Sequence, residues 1–211
     1  MHKIFIKDRQ VVFTENVNIP QREKHIVLHH YKNMRLLMLE FDSFLRSRKS
    51  RSLLVIRKRH IDQLFIEFLG NFKITRAAGG AVINKKDEVL MIHRHGRWDL
   101  PKGKKNRGER NKETALREVM EETGLQQLKI KKKLMITYHF YRRNRNLIIK
   151  KTHWYLMKAK LKQELVPATE EGISKIKWMP FEKARLKSNK TFRSITEVLC
   201  KAISCEPGKT L

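Results

Sequence analysis

The chain has 211 residues, 40% of them hydrophobic, and its 48 Lys+Arg against 21 Asp+Glu give a formal net charge of +27. That length suits one ordinary domain or two small ones with a buried core. No apolar run approaches the roughly 20 residues of a bilayer span, the opening MHKIFIKDRQ turns charged too early for a secretory signal, and Cys200 and Cys205 cannot staple a fold, so no membrane protein or disulfide scaffold is expected and a reducing, cytoplasmic setting is.

In chain order, residues 2–6 and 11–14 read as strands about a tight turn at 7–10, and residues 26–30 as a third strand. Residues 33–46 carry Met34, Leu37, Met38, Phe41 and Leu45 at helical spacing. Residues 51–57 hold the short apolar run of a buried strand, and 60–69 set Ile61, Leu64, Phe65 and Phe68 on one helical face. Residues 1–72 thus predict a small α/β unit without a chemical motif. An oligomerisation piece, a substrate lid and a partner module all fit it.

A second unit opens near Phe72. Residues 74–84 include the small residues Ala77, Ala78, Gly79, Gly80 and Ala81, which let a backbone or ligand approach closely. A turn at Asp87-Glu88 leads to a strand at 89–94. Residues 96–108 read as loop, and 110–123 as a helix stopped by Gly124. Strands at 128–140 and 147–158 flank a basic turn at 142–146 with Arg142, Arg143 and Arg145 at its tip. A loop at 167–172, a strand at 173–179 and helices at 180–187 and 191–203 follow. The expected division is an N-terminal unit at 1–72, a main domain at 73–202 and a tail at 203–211.

The charge is unevenly spread. Residues 126–163 hold 12 basic side chains and no acid, whereas Glu109, Glu113, Glu118, Glu121 and Glu122 crowd together. The positive excess predicts polyanionic company: nucleic acid, nucleotide phosphates or an anionic surface. In the predicted helix, Glu118, Glu121 and Glu122 are spaced i, i+3, i+4 and share a face. Carboxylates that close repel unless a cation or arginines hold them. A hard divalent ion such as Mg²⁺, which prefers oxygen ligands and phosphates, fits the pattern. Arg117 can fix one carboxylate by a bidentate bond. The bland alternative is a solvated helix with Glu/Lys pairs.

The stretch GKKNRGERNKETALREVMEETGL, from Gly103 to Leu125, resembles the Nudix box at every defined position: Gly103, five residues, Glu109, seven residues, Arg117-Glu118-Val119, one residue, Glu121-Glu122, one residue, Gly124-Leu125. Gly79-Gly80 and Trp98-Asp99-Leu100-Pro101-Lys102-Gly103 also resemble that family's flanks. The resemblance covers about residues 73–202. It implies an α/β/α sandwich with a mixed sheet, preceded here by the small α/β unit, and hydrolysis of a nucleoside diphosphate linked to another group. Carried over, it implies Glu118 and Glu122 as metal ligands, Glu121 as a third ligand or the base on water, and the backbone carbonyl of Lys102 as a further ligand. Arg117 would orient Glu118, and Glu109 would support it. Mg²⁺ is the implied ion, with Mn²⁺ as the substitute.

Family members often use one more acid from a late loop, and Glu170 or Glu171 is the candidate here, against a solvated acidic turn. Arg94 is the expected phosphate contact; His93 and His95 read as surface histidines. Trp98 either stacks on a base or wedges its loop. Of Lys102, Lys104 and Lys105, one is expected to neutralise substrate phosphate. The dense positive charge favours a substrate with several phosphates, and the sequences WDLPKGK and TEEG resemble the family's branch acting on dinucleoside polyphosphates or diphosphoinositol polyphosphates, which implies a substrate of that kind. The alternatives are an RNA 5′-pyrophosphohydrolase and, in a different class, a non-catalytic nucleic-acid-binding or ligand-sensing regulator.

Overall fold

The structure is a computed structural model and describes residues 1–16, 25–144, 146–160, 163–189 and 192–204. Arg145, Cys205, the start of the helix expected from residue 191 and the tail beyond residue 204 lie outside the described residues. Two compact units emerge, the first formed by residues 1–74 and 138–150, the second by residues 75–137 and 151–211.

In the first unit, β1 (His2–Ile6) and β2 (Arg9–Thr14) form an antiparallel hairpin with Ile6 opposite Arg9. Its turn is therefore only Lys7-Asp8, tighter than the expected turn at 7–10. Lys7 takes a positive φ of 55°, as a short hairpin turn requires. β3 (Ile26–His30), α1 (Met34–Arg46) and β4 (Ser52–Ile56) follow. β3 and β4 are parallel, and α1 supplies the crossover that parallel neighbours need. The Asn33 side chain starts α1 by accepting the Leu36 amide proton at 3.0 Å. α2 (Ile61–Leu69) closes the unit.

Phe41 and Phe44 of α1, with Leu64, Phe65 and Phe68 of α2, pack on Ile4, Val11, Phe13, Leu53 and Val55 of the strands. Most of these helical positions were legible from spacing; Phe44 is buried as well. Phe140 and Ile149 join this core because the distal ends of β9 (Leu128–Arg143) and β10 (Asn146–Ala159) belong to the first unit.

In the second unit, β5 (Lys73–Ile83), β6 (Glu88–Arg94) and β11 (Ile173–Pro180) are successive antiparallel neighbours, and the order continues from β5 to β10 and β9. The expected loop at 96–108 contains two short strands, β7 (Arg97–Asp99) on β6 and β8 (Lys102–Lys104) on β5. β8 runs so close to β5 that a Cβ on Gly79 would overlap the Pro101 carbonyl and Lys102, which is why that strand carries a glycine there. α3 (Asn111–Thr123) packs Ala115 and Val119 on Ala78, Val82, Tyr155 and Met157. α4 (Phe181–Asn189) and α5 (Arg193–Ile203) bring Ala184, Ile195, Val198 and Leu199 against Ala81, Ile83, Trp154 and Leu156. Alternate residues of β5 and β10 thus point to two different helical layers, and the unit is an α/β/α sandwich. Pro180, expected in a helix, ends β11 instead, opposite Glu88. Among the described residues no helix is long and apolar enough to cross a membrane.

Candidate active site

α3 carries the acids, and both of its ends are fixed locally. The Glu113 carboxylate accepts the Arg110 amide proton at 2.9 Å, satisfying a donor that the first turn leaves open. Gly124 ends the helix at φ 76°, donating to the Met120 carbonyl at 2.9 Å. The late loop docks on that end, where the Val166 amide donates to the Thr123 carbonyl at 3.0 Å.

Glu118 and Glu122, one turn apart, are 6% and 0% exposed. Gly103 makes room for the first, since a Cβ there would overlap the Glu118 carboxylate. Glu122 Oε1 accepts from Arg94 Nη1 at 2.7 Å, and Oε2 accepts from the Lys102 amide at 2.8 Å. Burial pushes the Glu122 carboxyl up to about 7, against the opposing pull of Lys102 and Arg94. Burial also raises Glu118, with Arg117 opposing it.

The third acid comes from a distant part of the chain. A short 3-10 turn at Thr169–Glu171, closed by Gly172 at φ 76°, leads into β11. Ile173 pairs with Arg94 across β11 and β6, and His95 donates its amide proton to the Gly172 carbonyl at 3.2 Å. That register sets Glu171 3.2 Å from Arg94 Nη2. Carboxylate oxygens of Glu118, Glu122 and Glu171 all lie within 4.8 Å of one another. Three hard oxygen donors, two of them buried, are the donor set that Mg²⁺ or Mn²⁺ takes.

Arg117 organises the remaining acids. Its Nε and Nη2 grip the two oxygens of Glu109 at 2.6 and 3.0 Å, Nη1 reaches Glu118 and Glu121 at 2.8 Å each, and Nη2 also donates to the Lys104 carbonyl at 3.1 Å. The Arg117 bonds, followed by the Asn106 amide, hold Glu109 down at about 2. Glu121 sits in this arginine's grasp, its side chain 51% exposed and outside the three-acid cluster.

The other expected site residues divide. Glu170 is exposed and outside the cluster, so Glu171 is the late acid that the structure brings to Glu118 and Glu122. Arg94 is at the cluster as an ion-pair partner of two acids. Lys102 meets Glu122 through its amide; its ammonium is bound to Asp99 Oδ2 at 2.5 Å and to the Leu100 carbonyl at 3.3 Å. Lys104 contributes its carbonyl to Arg117 while its side chain is exposed. Trp98 packs against the α5-side core and tilts on His93, centroids 5.0 Å apart, which fits the wedge reading.

Two features were not anticipated. Asp99, nearly buried, holds the Lys102 ammonium and accepts the Leu100 amide proton at 2.7 Å; only its place beside the box hinted at a role. His153 on β10 lies by the start of α3, 3.4 Å from the Asn111 side chain. Burial, then Lys151, Lys133, Arg76 and Lys105, lower it to about 4, so this face concentrates positive charge.

Residues 73–199 match the model of the NUDIX domain. The chain is 29% identical over 136 residues to mRNA-decapping enzyme subunit 2 of Arabidopsis thaliana, covering 62% of this chain and 34% of that protein. It is 40% identical over 52 residues to a putative 8-oxo-dGTP diphosphatase of Bacillus subtilis, covering 24% and 35%. It thus spans about a third of the length of these curated relatives. Among solved structures, the binary complex of C. elegans Ap4A hydrolase aligns with a TM-score of 0.49 at 23% identity, over 60% of this chain and 93% of that one. The family domain covers the α/β/α sandwich and all three clustered acids, and the chain belongs to the Nudix family.

Proposed function

We propose that the chain is a divalent-metal-dependent pyrophosphohydrolase whose cation is held by Glu118, Glu122 and Glu171. The observation that carries this reading is the convergence of their oxygens within 4.8 Å at a site where two of the three carboxylates are buried. When bound, Mg²⁺ neutralises charge on a pyrophosphate and supplies Lewis acidity. The chain's own groups do the rest. Arg117 fixes Glu118 and Glu121 in place. The Lys102 amide and Arg94 orient the two oxygens of Glu122. Glu171, the most exposed member of the cluster, completes the donor set and is held there by Arg94. Arg94, which pairs with Glu122 and Glu171, is our candidate for a substrate phosphate contact once a cation takes up those carboxylates.

The preferred substrate class is a nucleotide carrying several phosphates, such as a dinucleoside polyphosphate. The formal net charge of +27 supports it, because such a positive excess suits a polyanion. Chromatography of the nucleotide products formed from diadenosine polyphosphates, nucleoside triphosphates and capped RNA with Mg²⁺ tests the reading; no hydrolysis of any of them contradicts it for these classes.

Exposed Lys129, Lys131, Lys132 and Lys133 on β9 favour a second reading, removal of pyrophosphate from an RNA 5′ end. Turnover that falls steeply with salt on RNA but not on mononucleotides would select it.

A further inference from the structure

The first unit contains a pocket of about 440 Å³ formed entirely by its own residues, between the β1–β2 turn, the end of α1 and the distal part of β9. Lys7, Arg9, Arg46 and Arg142 line it, while Ile6, Leu45 and Phe140 provide apolar surface and Tyr141 a flat ring. A pocket of this size, apolar with a few convergent charged groups, lies within the range of small-ligand sites, roughly 300–1,000 Å³.

The charges are prearranged. Arg9 is clamped at the C-terminal end of α1, donating to the carbonyls of Phe44 at 2.8 Å, Ser47 at 2.7 Å and Leu45 at 3.3 Å, with its guanidinium 4.9 Å over the Phe44 ring. Arg46 and Arg142 approach opposite oxygens of one carboxylate, Asp42, at 2.5 and 3.3 Å. Two guanidiniums therefore share one negative charge. Among the described residues no carboxylate pairs with Lys7 or Arg9. The pocket sets four cations against one acid, Asp42, which leaves a local positive excess for an anion.

We propose that this pocket is a second ligand site, separate from the acid cluster, which binds a nucleoside monophosphate, its phosphate on Arg142, Arg46 and Lys7 and its base against Tyr141 and the apolar wall. A free phosphate satisfies the charges alone, and an uncharged nucleoside satisfies only the apolar part.

Nuclear magnetic resonance of the ¹⁵N-labelled full chain, titrated in EDTA with AMP, with inorganic phosphate and with adenosine, tests the assignment. The expected result is saturable AMP shifts at the amides of Lys7, Arg46, Tyr141 and Arg142, with adenosine and phosphate each binding about tenfold more weakly or worse. Arg142→Ala and, independently, Lys7→Ala on its exposed turn should weaken AMP by about tenfold each, with amide spectra otherwise unchanged and hydrolytic turnover preserved. Shifts that are absent, or confined to residues 103–124, overturn the proposal. So does phosphate or adenosine binding as tightly as AMP, or an unaltered AMP affinity in both folded variants.

Discussion

Arg94 Nη1 donates to Glu122 Oε1 at 2.7 Å, so a carboxylate with no solvent exposure is oriented by a cation on a neighbouring strand. The same guanidinium reaches Glu171, at 3.2 Å, and ties the late loop to the helix. Arg94 and Arg117 together meet five acids, Glu109, Glu118, Glu121, Glu122 and Glu171, and this excess of carboxylate makes the cluster receptive to a divalent ion.

A pH dependence of stability follows from Glu122. Its folded pKa, about 7, lies above the ordinary value of 4.5, so between these values the folded state binds more protons than the unfolded one. Without metal, the contribution of Glu122 to stability is therefore greatest below pH 4.5 and is lost as pH rises through 7. Thermal unfolding in EDTA should show this fall, and Glu122→Gln should flatten it. Added Mg²⁺ should raise Tm more at pH 8 than at pH 5, because the ion competes with protons for the same oxygens.

Glu109 behaves in the opposite sense. Its pKa is held down at about 2 by Arg117, so its contribution is present above 4.5 and is lost as pH falls towards 2. Arg117→Lys keeps the charge but not the two-pronged grip on Glu109 or the link to Glu118. It should shift acid unfolding to higher pH and lower kcat by about tenfold or more, the scale seen when groups that orient metal ligands are changed. Acid titration followed by circular dichroism, alongside steady-state kinetics, checks both effects.

The two late-loop acids should separate cleanly. Glu171→Gln is expected to reduce turnover by about 10²-fold or more, as loss of a metal ligand does. Glu170→Gln, on an exposed side chain outside the cluster, should remain within about twofold of wild type. Equal losses in both, or none in Glu171→Gln, would contradict the placement.

Gly103→Ala tests the close approach on which Glu118 depends. The added Cβ has no room beside that carboxylate, so Glu118 or β8 must move. Mn²⁺ affinity measured by electron paramagnetic resonance should fall by about tenfold or more, the scale of a disturbed metal shell. An unchanged affinity would mean the carboxylate is free to relocate.

Much of this was written in local pattern. The i, i+3, i+4 acids, the stop at Gly124 and the helical spacing of Leu37, Phe41, Leu64 and Phe68 all concern neighbours a few residues apart, where helix geometry dictates who shares a face. What was not legible depends on long-range register. Glu171 rather than Glu170 meets Arg94 because β11 pairs with β6 through Ile173 and Arg94. The Lys102 ammonium is withdrawn because Asp99 folds back on it within a turn whose strands, at three residues each, are too short to carry a period. Glu121 shares the helix with the cluster but is diverted by Arg117 to its more exposed flank.

Isothermal titration of Mn²⁺ into the full chain at neutral pH, wild type against Glu122→Gln, tests the cation site most directly. The expected result is saturable binding in wild type and an affinity lower by about tenfold or more in a folded Glu122→Gln variant, with hydrolysis lost in parallel. Equal Mn²⁺ affinity in the two proteins, or hydrolysis undiminished in the variant, would contradict the assignment of Glu118, Glu122 and Glu171 as the metal centre.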